Sequence, residues 1–268
     1  MKKIIVLTLL ILCSYIYSQV IGIKVNKVNI YSDKIFSDLS IRILQISDIH
    51  NRNLNNTNLL YYVKKSNIDM IVLTGDIIDA KTEDFEQIYS FLDSLISINP
   101  NVYFVSGNHE WRNSSKDEFM DCLRDKNLID LNNSNTVFEK NNIKINLCGI
   151  DDPYTNHENT YSALKNINPQ HFTVLLSHSP NVIMKYKYIN SDLILCGHTH
   201  GGQTRLPLIG GLIAPGQGLF PKYDKGLYEL DNSKLIYIDS GVGTSSLPIR
   251  FLNKSQISLI VVQSKSRY

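Results

Sequence analysis

Two histidines separated by one residue lie between glycines in the segment LCGHTHGG, residues 195–202. Glycine adopts backbone angles that other residues resist, so a tight loop can direct the imidazoles of His198 and His200 to one point. Neutral imidazoles that meet at one point are common ligands of a metal ion. Two such residues on one strand would also share a face of a sheet with no ion between them. The motif alone leaves both interpretations open.

Four other apolar segments end in the same kinds of residue. The polar residues at these four ends are Asp48, His50, Asp76, Asn108, His109 and His178. Continuous apolar runs of this length favour strands that are buried on both faces of a sheet. Because ligands of open α/β sheets bind outside the carboxyl ends of the strands, all five ends are expected to meet at one place.

The candidate ligands outnumber those that one metal ion uses. Two carboxylates, an amide oxygen and four or five imidazoles exceed what a tetrahedral zinc ion needs, and they suit two five- or six-coordinate ions that share a carboxylate. Helix capping by the aspartates and an ordinary turn at Asn108 are the alternative roles of these residues. The convergence of five strand ends favours a dinuclear metal centre.

The motifs follow one another in a recognisable order. DxH, GDxxD, GNHE, a lone histidine and GHxH together resemble the calcineurin-like metallophosphoesterase superfamily. The resemblance covers residues 41–263, since GGQTRLP, GLFPKYDKGLY and GVGTSSLPIRF are similar to an exported or membrane-associated phosphodiesterase branch of it. It implies an α/β fold, a four-layer α-β-β-α sandwich of two mixed sheets flanked by helices.

The resemblance also implies a role for each residue of the site. The implied ligands are Asp48, His50 and His200 for the first metal, Asn108, His178 and His198 for the second, and Asp76 as the bridge. It leaves His109 unligated and facing the substrate, as a general acid or as a hydrogen-bond donor to the phosphoryl group. The implied cofactors are two divalent or trivalent ions such as Mn, Fe or Zn, and the sequence does not choose among them.

A phosphate ester is negatively charged and repels hydroxide, so a pair of metal ions suits its hydrolysis. The pair lowers the pKa of a bridging water, clamps the phosphoryl oxygens and neutralises charge that develops during in-line displacement. Two divalent ions, two aspartates and a hydroxide leave one positive charge, which matches a singly charged diester. We therefore predict attack of a metal-bridging hydroxide on a phosphodiester or pyrophosphate bond. A phosphomonoesterase or nucleotidase and a catalytically silent metal-dependent binding module are the alternatives.

The predicted partner is a phosphate-ester substrate. The resemblance implies a cell-envelope lipid or a nucleotide-linked molecule, and hence association with a membrane. The 27 Lys and Arg residues nearly balance the 25 Asp and Glu residues, so the composition gives no broad positive field for a nucleic acid polymer. No protein partner is predicted.

The first 18 residues, MKKIIVLTLLILCSYIYS, combine two lysines with an apolar run and contain no acidic residue. This pattern is typical of a signal peptide or an N-terminal anchor, with residues 19–268 forming a single metallophosphoesterase domain. The expected location is periplasmic, extracellular or anchored to the outer face of the cytoplasmic membrane. The odd number of cysteines beyond this segment favours buried apolar roles over disulfides.

Alternating strand-like and helical segments predict a mostly parallel sheet in the first half of the chain. One helix is expected to begin after an N-cap at Thr82, and another at a capping box of Ser115 and Glu118. The strand-like segments of the second half are KNNIKINLCGI, KGLYEL, KLIYIDSG and QISLIVVQS. Turn residues such as Asn141–Asn142 and Asn232–Ser233 lie between them, so we predict hairpins and a second sheet.

Three further features receive predictions. Residues 207–221 are rich in glycine and proline, and we expect a long loop near the HxH tip. Asp79 is interpreted as a loop or capping residue, and Arg250 as a brace of the C-terminal sheet.

Overall fold

Two six-stranded sheets form the centre of the computed structural model, which describes residues 1–36, 39–244 and 248–265. In spatial order, the first sheet consists of β1 (Lys24–Ser32), β16 (Gln256–Ser264), β2 (Ile41–Ile46), β3 (Met70–Thr74), β4 (Val102–Val105) and β5 (Ile129–Asp130). Strands β2 to β5 are parallel, whereas β16 runs antiparallel to β2 and parallel to β1. The sheet is therefore mixed, with its parallel part built from the first half of the chain, as predicted.

The second sheet is also mixed. Its strands, in spatial order, are β14 (Gly226–Glu229), β15 (Leu235–Ile238), β9 (Leu193–Cys196), β8 (Phe172–Leu176), β7 (Ile143–Gly149) and β6 (Ser134–Lys140). The four central strands are parallel, and the two edge strands pair antiparallel with their neighbours. The β6–β7 turn uses Asn141 and Asn142 at φ values of 49° and 66°, which is the backbone that a two-residue hairpin requires.

Helices cover the outer faces of both sheets. They are α2 (Asn58–Lys65), α3 (Glu86–Ile98), α4 (Asn108–Arg112) and α5 (Lys116–Asp125) beside the first sheet, and α6 (Thr160–Leu164) and α7 (Val182–Lys185) beside the second. Alternate side chains of each strand point to opposite faces, so Leu44 and Phe91 share the outer core while Ile43 and Val174 share the core between the sheets. This arrangement confirms the predicted four-layer α-β-β-α fold.

The C-terminal strand β16 corrects one prediction. We expected its segment, QISLIVVQS, in the second sheet, but it lies in the first, where Ile260 pairs with Ile43. Eight of its nine residues are buried, and a strand apolar on both faces suits an interior position of either sheet. Sequence order alone therefore could not assign it.

Of the two predicted helix caps, the position of Thr82 is wrong, whereas that of Ser115 is correct but lacks its capping hydrogen bond among the described residues. Helix α3 begins at Glu86, and the Thr82 hydroxyl instead accepts a hydrogen bond from Asp79 N at 2.9 Å, which closes a turn ahead of the helix. Ser115 does occupy the N-cap position of α5, but its φ of −102° and ψ of 25° lie outside the extended region that a capping side chain uses, and its hydroxyl makes no capping bond within the described structure.

The glycine-rich segment folds into two short hairpins. In the first, β10 (Arg205–Leu206) pairs with β11 (Gly210–Gly211), and in the second, β12 (Ile213–Ala214) pairs with β13 (Gly218–Leu219). Both pack against a single 3₁₀ turn, His200–Gly202. The segment therefore lies beside the HxH tip, as predicted, with more regular structure than a loop.

An N-terminal helix, α1, spans Lys2–Ile21 and is long and apolar enough to cross a membrane by length and composition. It continues three residues past Ser18, the predicted end of the signal segment. Its last turn is attached to the domain: the carbonyl oxygens of Gln19 and Val20 accept hydrogen bonds from Ser255, and that of Ile21 accepts one from Arg52.

Candidate metal centre

All seven predicted metal ligands lie together where the strands of both sheets end. They follow β2, β3, β4, β8 and β9, and they are Asp48, His50, Asp76, Asn108, His178, His198 and His200. Six of the seven are buried. Three groups of side chains each bring their ligand atoms within 4.8 Å of one another: Asp48–His50–His200, His50–Asp76–His109 and Asp76–His178–His198. The grouping places an aspartate between two sets of imidazoles.

Asp76 occupies the centre of the cluster. Its Oδ2 atom lies 3.2 Å from His178 Nε2, 3.7 Å from His50 Nε2 and 4.0 Å from His109 Nε2. Its Oδ1 atom accepts a hydrogen bond of 2.8 Å from the backbone N–H of His109. One carboxylate oxygen is thus held by the backbone, while the other faces imidazoles from three different loops.

Asp48 is held in a similar way. The Ser47 hydroxyl donates to its Oδ2 atom at 2.6 Å, and the backbone N–H of His198 donates to both oxygens at 3.0 and 3.1 Å. The Oδ1 atom lies 3.5 Å from His200 Nε2. Because two other groups fix this carboxylate, its position relative to His200 does not depend on the imidazole.

The backbone at the cluster is strained. Five of the seven ligands have a positive φ: Asp48 (52°), His50 (50°), Asp76 (51°), His198 (70°) and His200 (49°). Residues other than glycine seldom adopt this left-handed region, and each instance persists only where the surrounding structure enforces it. Strain of this kind is concentrated at functional sites. These five residues therefore indicate that the cluster is a functional site, independently of the sequence motifs.

Close packing around Gly197 brings the two sheets together at the site. A Cβ atom at this position would lie 1.8 Å from Ser47 Oγ and 2.4 Å from Asp48 Oδ2. Glycine is therefore required by the approach of the β9 loop to the β2 loop, which belong to different sheets. This contact is what allows His198 to donate its N–H to Asp48.

Glu110 is a functional residue that sequence reasoning missed. Its fully buried carboxylate accepts hydrogen bonds from the backbone N–H groups of Asp76, Ile77, Ile78 and Gly107, at 2.6 to 3.1 Å. Burial and the charge of Asp76 raise the pKa of Glu110 to about 7, although the four donors favour the carboxylate. Glu110 thus ties the β3 loop to the β4 loop. The GNHE motif contains it, but nothing in the sequence identifies backbone amides as its partners.

Two histidines have tautomers that their neighbours determine. His178 Nδ1 donates to the carbonyl oxygen of Thr74 at 2.8 Å, so Nε2, which faces Asp76 at 3.2 Å, is the nitrogen that a metal ion can bind once the ring is neutral. His109 has the opposite tautomer. Its Nδ1 atom accepts a hydrogen bond from the N–H of Ala80 at 3.1 Å, so the proton of the neutral ring is on Nε2. His178 therefore suits a ligand, and His109 suits a donor.

Asp79 lies at the site and not merely in a turn. Its carboxylate oxygens are 3.6 Å from His50 Nδ1 and 3.5 Å from His109 Nδ1. The adjacent imidazole of His50 lowers the pKa of Asp79 to about 2, so Asp79 carries a negative charge beside both rings. The interpretation as a loop or capping residue was incomplete, because the GDxxD motif gives no sign that its second aspartate turns toward two histidines.

Arg250 also reaches the site. The guanidinium is buried, and its Nη2 atom donates to the carbonyl oxygens of Ser240, Gly241 and Gly243 and lies 3.4 Å from His200 Nδ1. Arg250 thus connects the segment after β15 to the HxH loop. We expected it to stabilise the C-terminal sheet, and its contacts are instead with these two segments. Residues 245–247, within the GVGTSSLPIRF segment, lie outside the described residues.

The pKa values of His198, His200 and Asp76 favour the forms that bind a metal ion. Burial lowers the pKa values of both His198 and His200 well below the ordinary range, and neighbouring cations lower them further, which keeps both rings neutral. Burial raises the pKa of Asp76, but the charge and hydrogen bond of His178 outweigh it and leave that pKa well below its usual value. Burial raises the pKa of Asp48 to about 6. Neutral imidazoles and ionised carboxylates are the forms that bind cations. Burial lowers the pKa values of His50 and His178, but the neighbouring carboxylates outweigh it and raise both, so these two rings must lose a proton when an ion binds.

Several buried atoms of the cluster lack hydrogen-bond partners among the described residues. Asn108 Oδ1 and His198 Nε2 are two of them. Moreover, His50 Nε2 faces His200 Nε2 at 3.1 Å, and His178 Nε2 faces His198 Nδ1 at 3.0 Å. Facing nitrogen lone pairs repel unless a proton or a cation lies between them, and an unpartnered buried polar atom is unfavourable. The donor set therefore fits metal ions.

Comparison with known proteins agrees with this geometry. The pattern of the family described as Calcineurin-like phosphoesterase matches residues 41–202, which include every residue of the cluster. The chain belongs to the calcineurin-like phosphoesterase family. This membership confirms the predicted class of enzyme, a metal-dependent phosphoric ester hydrolase. The number of metal ions and the substrate are finer points that membership leaves open.

Relatives of this phosphoesterase share most of its length. An uncharacterized metallophosphoesterase of Bacillus subtilis, YkoQ, is 30% identical over 88% of this chain and 89% of its own. One from Helicobacter pylori is 31% identical over 91% of this chain, which spans 65% of the Helicobacter protein. A protein of Bos taurus named transmembrane protein with metallophosphoesterase domain is 28% identical over 84% of this chain and 53% of its own.

Solved structures share the fold of this phosphoesterase. The Haemophilus influenzae NAD nucleotidase has a TM-score of 0.52 and 18% identity, covering 76% of this chain and 45% of its own. The TT1561 protein of Thermus thermophilus has a TM-score of 0.51 and 12% identity, covering 76% of this chain and 91% of its own. At these identities the likeness concerns the fold alone.

Proposed function

We propose that this phosphoesterase binds two metal ions and hydrolyses a phosphodiester or pyrophosphate bond. The proposed ligands are Asp48, His50 and His200 for one ion, Asn108, His178 and His198 for the other, and Asp76 for both. One observation carries the proposal: the Oδ2 atom of Asp76 lies within 3.2 to 3.7 Å of an imidazole nitrogen from each set. A carboxylate between imidazoles of two ligand sets is the arrangement that a shared bridging ligand requires.

The residues of the chain divide the work of such a site. Two bound ions, of Mn, Fe, Zn or a similar metal, would supply an activated water and compensate phosphoryl charge. The Nε2–H group of His109 faces the cluster and, in the neutral ring, donates a hydrogen bond to a phosphoryl oxygen. To protonate the leaving oxygen, the ring must first be an imidazolium that carries a second proton on Nδ1, beside Asp79, and it returns to the neutral form when Nε2 gives up its proton. Asp79 stabilises the His109 ring from the opposite side when that ring is charged. Glu110 and Ser47 keep both aspartates in place.

The charge of the proposed ions and their carboxylate ligands supports a diester over a monoester. Two divalent ions with Asp48 and Asp76 carry two positive charges, and an activated hydroxide removes one of them. Asp79 is outside this count, because its charge faces the imidazoles of His50 and His109. A phosphodiester, with its single negative charge, then neutralises the site, whereas a doubly charged monoester leaves an excess negative charge. Burial of the cluster strengthens this preference, because charge imbalance is more unfavourable in a low dielectric medium.

We further propose that the substrate is a lipid-linked or nucleotide-linked ester of the cell envelope. The apolar helix α1 supports this location, since it acts either as an anchor or as a signal segment. The N-terminal residue of the purified protein distinguishes these roles: an anchored chain retains Lys2 and Lys3, and a chain cleaved after Ser18 begins at Gln19.

Metal-dependent hydrolysis tests the proposed activity. The full chain in detergent is stripped with a chelator, reloaded separately with Mn, Zn, Fe, Ni or Mg, and given bis(p-nitrophenyl) phosphate or p-nitrophenyl phosphate. We expect at least one metal to restore diester hydrolysis. The substitution Asp76→Asn should abolish that activity, whereas Asp93→Asn, which changes an exposed aspartate on α3 paired with Lys126, should retain it.

Each other outcome contradicts part of the proposal. Faster turnover of the monoester would favour a phosphomonoesterase or nucleotidase. Absence of turnover of either ester, in folded protein shown to contain metal, would favour a binding module. Full activity of Asp76→Asn would remove the shared carboxylate from the mechanism.

A further inference from the structure

The two hairpins beside the metal centre expose an unusual amount of apolar surface. Exposed side chains on residues 204–221, which we call the apolar hairpins, are Leu206, Leu208, Ile209, Ile213, Leu219 and Phe220. Leu208 is fully exposed at a positive φ of 68°, and Phe220 is 60% exposed at a positive φ of 52°. Contiguous apolar surface of this kind marks a site of contact with another molecule or with a membrane.

The position of α1 identifies the side of the domain on which this contact lies. The ring of Tyr15, in α1, packs edge-on against Phe251 with their centroids 5.7 Å apart. Phe251 in turn accepts a hydrogen bond of 3.0 Å from the N–H of Arg205, the first residue of β10. A helix that can cross a membrane therefore leaves the domain directly beside the apolar hairpins.

The charges around the apolar hairpins suit a lipid surface. Residues 201–223 contain Arg205 and Lys222 but no acidic residue. Arg205 is paired with Asp224 at 2.8 Å, which leaves Lys222 as the cation of this segment that faces outward. A second lysine, Lys254, lies next to Gly22 at the end of α1. Apolar tips next to the exposed Lys222, and an apolar helix that ends next to Lys254, match the boundary between acyl chains and anionic phosphate headgroups.

The apolar hairpins are also connected to the metal centre. They pack on the 3₁₀ turn that contains His200, and the contact is so close that a Cβ atom on Gly202 would lie 2.4 Å from Gly211 Cα. This rigid backbone contact fixes the distance between the exposed tips and the candidate metal ligands. A membrane that touches the tips would therefore lie at a fixed distance from His200.

We propose that the apolar hairpins are a second membrane contact, in addition to α1. Leu208, Leu219 and Phe220 enter the headgroup region of the same bilayer, and the contact orients the metal centre toward the membrane surface. This inference goes beyond the proposed function, because it concerns the binding of lipid and holds whichever ester is hydrolysed. The occupant of the surface is a phospholipid bilayer, and not a protein.

Quenching of tryptophan fluorescence by brominated lipid tests this contact. The full chain is reconstituted into vesicles of phosphatidylcholine and phosphatidylglycerol with or without bromine on the acyl chains. Leu208→Trp and Phe220→Trp report on the hairpins, and the parent chain gives the background from Trp111. Tyr161→Trp is the matched control, because this exposed aromatic residue lies on α6, against the opposite edge of the second sheet.

We expect bromine to reduce the added emission of both hairpin variants at least twofold and to leave that of Tyr161→Trp unchanged. Equal quenching at all three positions, or its absence at both hairpin positions, would overturn the proposal. A blue shift of the tryptophan emission that grows with protein concentration and does not depend on bromine would indicate contact with a second copy of the chain. That result would also overturn the proposal. Ester hydrolysis measured on the same vesicles is independent of this result, so failure of the contact and failure of the proposed function are distinguishable.

Discussion

The Nδ1 atom of His109 already accepts a hydrogen bond from the main chain. The donor is the backbone N–H of Ala80, at 3.1 Å, and this leaves a proton on Nε2, the atom that faces Asp76. Burial lowers the pKa of His109, and the charge of Asp76 opposes that shift. A neutral ring in this state can donate a hydrogen bond through Nε2, and it becomes a proton donor only when Nδ1 carries a second proton, which would face Asp79. Neither form offers Nε2 to a cation. The role of His109 is therefore separable from metal binding.

Replacement of His109 tests this separation. We expect His109→Ala to lower kcat by about 100-fold or more for an ester with a poor leaving group, which is the usual range for loss of a general acid. For a p-nitrophenyl ester the decrease should be much smaller, because that leaving group needs no proton. Turnover of an alkyl and a p-nitrophenyl diester by the same preparations gives the comparison.

Metal content provides the control for this variant. His109→Ala should retain as much metal as the parent chain. Loss of metal, or an equal decrease in kcat for both leaving groups, would show that His109 is a ligand or a structural residue and not the donor.

The identities of the candidate ligands could be predicted from the sequence, whereas their supports could not. Asp48, His50 and the other ligands belong to short motifs whose order along the chain is informative. Glu110 and Asp79 lie within the same motifs, but their partners are backbone amides and imidazoles brought close only by folding. Arg250 is 50 residues from His200 in the chain, so no local pattern connects them.

At the scale of elements, the site depends on the loops that follow five strands and on contacts between those loops. Gly197 is the clearest case, because the two sheets meet where its side chain would be. The contact keeps the backbone N–H of His198 on Asp48. A larger residue at 197 must therefore displace a proposed ligand of each metal ion.

We predict that Gly197→Ala will lose most of its bound metal and most of its diester hydrolysis. The reason is that the new Cβ atom would lie 1.8 Å from Ser47 Oγ. The matched variant is Gly226→Ala, at a glycine with a φ of 108° and open space around its Cα. It should be destabilised by about 1–2 kcal/mol, from backbone strain alone. Its metal content and activity should equal those of the parent.

Metal analysis and thermal unfolding of both variants provide the measurement. A Gly197→Ala protein with normal metal content and activity would contradict the claim that this contact positions the ligands. Equal loss of metal in Gly226→Ala would attribute the effect to general destabilisation.

Strands were more predictable than the sheets they join. The apolar runs and turn residues predicted both the parallel strands and the β6–β7 hairpin at Asn141 and Asn142, since these signals are local. The placement of β16 was wrong, because a strand buried on both faces fits several interior positions and its partner is distant in sequence. The start of α3 was misplaced for a related reason: the Thr82 hydroxyl bonds within a turn that the sequence does not reveal.

In the whole molecule, three structural features lie at one end of the domain: the candidate metal ligands, the apolar hairpins and the helix α1. The strand ends supply the candidate metal ligands, the apolar hairpins pack on the loop that carries His200, and α1 leaves beside them through the contact of Tyr15 with Phe251. The four-layer fold could be predicted from the motif order. The location of these three features on the same side of the domain could not be predicted, because it depends on contacts between segments far apart in the chain.

Metal stoichiometry is the measurement that tests the central claim most directly. Inductively coupled plasma mass spectrometry of the full chain, after reloading and removal of excess metal, is carried out on the parent, Asp76→Asn and Asp93→Asn. The account predicts two ions per chain in the parent and in Asp93→Asn, and one or fewer in Asp76→Asn, with diester hydrolysis falling in parallel. A single ion in active parent protein, or two ions with full activity in Asp76→Asn, would contradict it.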